Sequence, residues 1–168
     1  MFRTLLFAKL HRALVSHGEG RIGISFPDVE KSERELGNRL RVHGQAADLE
    51  ALMASNWLQG MRDHLAPVSI RQVPEGAKHR VVRRVQAKSN PERQIRRLIR
   101  RKGLTAEEAK EAISDKAERL TLPWLEVSSQ STRQKYRLFV EHLPSQPKPS
   151  TGSFSAYGLS NQASIPWF

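Results

Sequence analysis

No cysteine occurs in the 168 residues, which excludes disulfides, thiolate metal ligands and a cysteine nucleophile. Any metal would rest on histidine and carboxylates alone, and the six histidines show no ligand-type spacing with one another or with carboxylates. Long apolar runs are also missing. The LLFA run near the N-terminus is cut by Lys9, far short of the ~18 residues of a membrane span, and too short for a signal-peptide core. A cytoplasmic protein without membrane contact is therefore expected. No Gly-x-Ser-x-Gly elbow is present to support an acyl-transfer serine. The apolar share is modest at 38%, yet a chain of this length can still bury a real core.

Acidic residues are scarce where basic ones crowd. The chain holds 28 Lys and Arg against 17 Asp and Glu, a formal net charge of +11. Twelve of the basic residues and only two acidic ones, Glu75 and Glu92, fall within 71–102, so that band holds nearly the whole excess. A charge so localised is an electrostatic footprint for a polyanion. Over 88–102, Glu92 alone offers an acidic i,i+4 partner, to Lys88 and Arg96, where a merely solvated helix carries many.

Apolar Phe2, Leu5, Leu6, Leu10, Ala13 and Leu14 recur at helical spacing, with Gly18 as a stop, and predict an amphipathic helix over 1–16. Strands are expected over 21–26, 39–43 and 68–73, a brief helix around Leu36, and a helix over 46–54. Pro74-Glu75-Gly76 is a turn and the expected boundary between domains 1–76 and 77–168. Beyond it a strand is expected over 79–87. Asn90 and Pro91 start a helix that Gly103 ends, and Thr105 with Glu108 caps another running to about 119. Strands over 125–127 and 135–142 flank a hydroxyl-rich turn, SSQST, and two short strands, 153–157 and 163–167, close the chain. The pattern argues an α+β protein.

Several candidates emerge from the residues themselves. On the helix 91–102, Ile95, Leu98 and Ile99 share one arc, and Arg93, Arg96, Arg97, Arg100 and Arg101 share the opposite one. Forked guanidinium donors suit phosphates and guanine edges. The apolar arc has three aliphatics and no aromatic, thin for insertion into a membrane surface. In RRVQ, alternation puts Arg84 and Gln86 on one strand face, the residue pair that reads guanine and adenine edges, or else a solvated face. GEGRIG fits Gly-x-Gly-x-x-Gly, but it follows a helix and opens a strand, the reverse of a dinucleotide site. His11 lies beside Lys9 and Arg12 on the helical wheel, off the Leu6–Leu10–Leu14 stripe, as a surface histidine would. Tyr157 reads as a packing residue of a strand.

Together the segments LLFAKLHRAL, RIGISFPD, RLRVHG, RRVQAKSNPERQIRRLIRR, SSQSTRQKYRLFV, AYGLS and IPWF resemble, in order over nearly the whole chain, the repeat-cleaving endoribonucleases of type I-F CRISPR systems. The resemblance implies an N-terminal ferredoxin-like (RRM-like) domain followed by a C-terminal domain with an arginine-rich helix and short antiparallel strands. Members of the family carry a first β-strand before the helix that begins this chain, so a sheet lacking that strand is implied. Such enzymes bind the stem-loop of the CRISPR repeat RNA, cut once at its 3′ base without metal or other cofactor, and leave a 2′,3′-cyclic phosphate and a 5′-hydroxyl. The processed guide (crRNA) stays bound by its 3′ hairpin, with the enzyme one subunit of the surveillance complex.

Residue by residue, the family's catalytic histidine falls on His11, its catalytic serine on Ser129 and a supporting tyrosine on Tyr157. The base-reading pair falls on Arg84 and Gln86, and the groove-inserting arginines on Arg97, Arg100 and Arg101, with Arg93 and Arg96 beside them. The aromatic that stacks under the last stem pair falls on Tyr136, where the family pattern leads one to expect Phe; Ser131 and Thr132 are the remaining RNA-contact candidates. A non-catalytic RNA hairpin-binding protein would use the same basic helix and leave His11 and Ser129 idle.

Overall fold

The computed structural model describes residues 2–31, 35–66, 69–86, 91–114, 121–128 and 134–168. It is a mixed α+β protein. Among the described residues there are four α-helices, α1 (Phe2–His17), α2 (Ala46–Ala54), α3 (Pro91–Lys102) and α4 (Ala106–Ser114). Six strands form two antiparallel sheets. β1 (Gly23–Ser25) pairs with β2 (Arg41–His43), and a second sheet runs in the order β4-β5-β3-β6, from β3 (Lys78–Val85), β4 (Trp124–Ser128), β5 (Lys135–His142) and β6 (Ser164–Trp167). The chain divides into two compact units, Met1–Val85 with Leu122–Phe168, and Gln86–Thr121.

The first unit is built around α1. Its buried stripe is Phe7, Leu10, Ala13 and Leu14, one core with Ile22, Ile24, Leu52, Val82, Leu125, Leu138, Val140 and Ile165. The expected stripe is therefore rotated: Leu5 is 50% exposed, and Phe7 takes the core position. The spacing Phe7–Leu10–Leu14 aligns better with the i, i+3, i+7 rhythm than a stripe through Leu5. Gly18 closes the helix by donating its N–H to the Leu14 carbonyl at 2.8 Å. Gly18 and Gly20 lie at a helix end and turn, as the order of elements in GEGRIG implied.

Three expected elements are absent. Residues 69–73 form no strand; Ile70 and Val73 are 43% and 46% exposed, and alternation without a partner strand does not hold a strand together. Residues 35–40 are irregular rather than helical, with Gly37 at φ +72° and Leu36 buried. Residues 153–157 are not a strand either. Their hydrogen bonds go to a local turn, Gly158 N to Ser155 O at 2.8 Å, and to Gly20, which accepts from Phe154 N at 2.9 Å. The other elements stand where expected to within a few residues, save that the far end of the helix after Thr105 and the cap at Asn90 lie outside the described residues.

In the second unit α3 and α4 pack together, with Ala109 fully buried. The capping box forms: Glu108 N donates to Thr105 Oγ1 at 3.3 Å, and Thr105 N donates to Glu108 Oε2 at 2.8 Å.

Candidate active site

Phe7 and His11 are one helical turn apart, so α1 presents both on one side. His11 is therefore at the margin of the buried stripe, half-buried, and not the plain surface histidine that the wheel through Leu6, Leu10 and Leu14 gave. The ring of Tyr157 lies parallel to both. Its centroid is 4.2 Å from that of His11 with 9° between planes, and 6.2 Å from that of Phe7 with 6° between planes.

The turn that carries Tyr157 is tightly specified. Ser155 N donates to Leu159 O at 2.8 Å, and Tyr157 N donates to Ser155 Oγ at 3.3 Å. Gly158 has φ +70°, and a Cβ there would come within 2.7 Å of Ile24 Cγ2. Only glycine lets this turn lie against β1, where Ile24 N donates to Gly158 O at 2.9 Å. The backbone thereby sets the Ala156 carbonyl 2.7 Å from His11 Nδ1. A carbonyl only accepts, so Nδ1 donates and carries the ring proton. Nε2 of the neutral ring keeps its lone pair, which is the arrangement a proton acceptor needs.

Tyr157 is held at its other end as well. Its hydroxyl lies 2.6 Å from the hydroxyl of Tyr136 on β5. Burial, and then this hydrogen bond, push the Tyr136 hydroxyl up to about 12. The Arg84 guanidinium carbon, reaching from β3, stands 5.7 Å from the centroids of both tyrosine rings. Four of the expected site residues, His11, Arg84, Tyr136 and Tyr157, are thus brought together although they lie on four separate segments of the chain. Register explains how the sheet contributes two of them. Tyr136 pairs with Val127 and Arg84 with Val140, in adjacent antiparallel ladders. Arg83, pointing the other way, pairs with Glu141 at 2.7 Å.

Ser129, Ser131 and Thr132 lie outside the described residues; β4 ends at Ser128, which pairs with Lys135. Gln86 is exposed and belongs to the second unit, the strand having ended at Val85. On α3, Arg96, Arg97, Arg100 and Arg101 are exposed while Ile95 and Leu98 are half-buried, and Ile99 is 38% exposed. Arg93 lies in the first turn of this helix. Sequence reasoning missed two contributors. Phe7 could have been found from its i,i+4 relation to His11. The Ala156 carbonyl has no side-chain signal at all.

A histidine with Nδ1 held and no hydrogen bond to Nε2 among the described residues, on a chain that also carries an arginine-rich helix, fits an enzyme that acts on nucleic acid. Comparison with known proteins gives the particular one. The family described as CRISPR-associated protein (Cas_Csy4) matches residues 2–168, and the chain belongs to it. The CRISPR-associated endonuclease Cas6/Csy4 of Pseudomonas aeruginosa (strain UCBPP-PA14) is 51% identical over 166 residues, 98% of this chain and 89% of that protein. The CRISPR-associated endonuclease Cas6/Csy4 of Escherichia coli (strain UTI89 / UPEC) is 47% identical over 169 residues, 100% of this chain and 90% of that protein. The resemblance seen in the sequence segments is borne out, and the chain is an endonuclease of this family. Among the described residues no helix is long and apolar enough to cross a membrane.

Proposed function

We propose that this endonuclease binds the stem-loop of CRISPR repeat RNA and cuts the precursor transcript at the 3′ base of the stem by metal-independent transesterification. The observation that carries this reading is the His11–Ala156 contact of 2.7 Å, which leaves Nε2 as an open base. His11 Nε2 takes the proton of the 2′-hydroxyl at the cut position. The 2′-oxygen attacks the adjacent phosphorus in line, the bond to the 5′-oxygen breaks, and that oxygen takes a proton from solvent water, to which His11 returns the one it gained. The products are a 2′,3′-cyclic phosphate and a 5′-hydroxyl. Ser129 is assigned to hold the ribose hydroxyl in attack geometry, an orientation effect. Tyr157 orients His11 by stacking.

Recognition is assigned to the basic band. Arg97, Arg100 and Arg101, with Arg93 and Arg96 beside them, engage the stem, while Arg84 and Gln86 read base edges in the lower stem. Side chains reach the deep groove of an RNA helix only near its ends, and a short hairpin offers such an end. Tyr136 stacks beneath the last pair, since a phenol ring is as flat and broad as the phenyl ring of the family pattern. Ser131 and Thr132 add contacts near the cut. The α+β frame is read as a ferredoxin-like domain followed by the recognition domain. The product hairpin stays bound, and the protein acts in the cytoplasm as a subunit of the type I-F surveillance complex.

Incubation of the protein with a cognate repeat hairpin in EDTA tests the reading. Cleavage to a cyclic phosphate is expected, with none on a substrate carrying 2′-deoxyribose at the cut position. His11→Ala is expected to bind the hairpin normally and to cut at least a hundredfold more slowly. Cleavage of the deoxy substrate would sink the scheme; binding without cleavage by the unaltered protein would favour a hairpin-binding module instead.

A further inference from the structure

The Tyr136 hydroxyl is unused by the reading above, which takes only the ring of that residue. Yet it meets the Tyr157 hydroxyl at 2.6 Å, a short bond between two half-buried groups. A tyrosine hydroxyl lies on the long axis of its ring. Tyr157 is fixed at its Cα end by the Ser155–Leu159 turn, so a bond at the hydroxyl end fixes the whole axis. The remaining freedom, rotation about that axis, is limited by the parallel rings of Phe7 and His11. Without the hydroxyl tie the far end of Tyr157 is held only by ring contacts.

Resting on the function proposed above, we propose that Tyr136 is a positioning residue for His11, acting through a hydroxyl-to-hydroxyl tie to Tyr157 that a phenylalanine at the same place cannot make. The tie joins β5 to the turn that carries Tyr157, whose ring stacks on His11 of α1. Tyr136 sits one residue from Lys135, the partner of Ser128 at the end of β4. The strand pair flanking the serine-rich segment is therefore mechanically linked to the histidine. The Tyr136 hydroxyl, pushed up rather than down, stays protonated through the pH range in which a neutral imidazole works, as an unshifted tyrosine would, so the tie persists there. Arg84 faces both rings of the tie, which places a residue assigned to base reading against the group that orients the base.

Tyr136→Phe deletes the oxygen and retains the ring, so the RNA-stacking surface and the fold are preserved. The experiment compares it with the unaltered protein in two readouts. Single-turnover cleavage of the repeat hairpin at saturating protein is expected to slow about fivefold, with hairpin affinity changed less than twofold. In the free protein, the His11 ring proton that is shielded by Tyr157 is expected to lose part of its upfield NMR shift. An unchanged cleavage rate with an unmoved His11 resonance would overturn the proposal. So would a variant that binds weakly but cuts at the full rate once saturated, because Tyr136 would then act on RNA alone. If the unaltered protein does not cleave at all, the functional reading fails separately. The NMR comparison then still decides the tie, since it needs no RNA.

Discussion

The rings of His11 and Tyr157 lie 4.2 Å apart and within 9° of parallel, although His11 is 145 residues from Ala156, whose carbonyl meets its Nδ1. Stacking of this kind contributes roughly 0.5–1.5 kcal/mol. Its larger effect here is on direction, because it holds the imidazole so that Nδ1 meets the Ala156 carbonyl while Nε2 has no hydrogen bond among the described residues. Replacing Tyr157 with leucine removes the ring but keeps an apolar side chain. The single-turnover cleavage rate is expected to fall about tenfold, with hairpin affinity within about twofold of the unaltered protein. Equal losses in both would show that Tyr157 serves binding rather than the histidine.

Gly158 makes the same point through the backbone. Gly158→Ala puts a methyl group 2.7 Å from Ile24 Cγ2 at a residue with φ +70°. A loss of about 1–3 kcal/mol in folding stability is expected, read from urea midpoints. A variant as stable as the parent would mean that this turn does not need its left-handed residue.

One buried and one half-buried histidine, His43 and His142, predict a pH dependence of stability. Burial, with the Arg41 charge second, pushes His43 down to about 3; burial, with Arg80 second, pushes His142 down to about 4. His43 Nε2 lies 2.8 Å from Ser25 Oγ in the core, and the half-buried His142 accepts at Nε2 from Phe26 N at 3.2 Å, so both rings are held neutral. The unfolded chain protonates these rings near pH 6.5, whereas the folded chain refuses the proton until about pH 3–4. The folded state is therefore at its full advantage above about pH 6.5 and loses it as pH falls toward 4. At pH 5 each histidine costs roughly 1–2 kcal/mol. Urea midpoints measured at pH 7.5 and pH 5 check this; equal midpoints would contradict it.

The exposed arginines of α3 lead to a salt prediction. Each phosphate contact releases counterions, so affinity falls linearly on a log–log plot of binding against salt. Arg100→Ala is expected to weaken hairpin binding and to flatten that slope by about 0.7–1. An unaltered slope would place Arg100 away from the RNA backbone.

Much of this was legible in the order of residues because it depends on local chemistry. The capping box at Thr105 and Glu108 formed as its spacing required, since both groups lie within one turn and need no distant partner. The arginine arc of α3 follows from helical period alone. The strand expected over 68–73 is missing from its described part, 69–73, for the opposite reason: the alternation is real, but a strand needs a neighbour, and no local pattern supplies one. Residues 153–157 are not the strand expected of them because a turn closed by Ser155 and Gly158 competes with extended pairing.

The sequence by itself determined the charge band, its concentration on one helix, the α+β class and, through ordered segments, the family. Those follow from composition and from periods of two and 3.6, which need only neighbours in the chain. The resemblance already pointed to His11, but only the tertiary structure decided what its ring meets. The helical wheel placed it beside Lys9 and Arg12, and no local rule brings it to Tyr157, Tyr136 or the Ala156 carbonyl. Packing did that, by rotating the buried stripe of α1 onto Phe7 and pressing the Gly158 turn against β1, where any side chain larger than hydrogen would stand in the way.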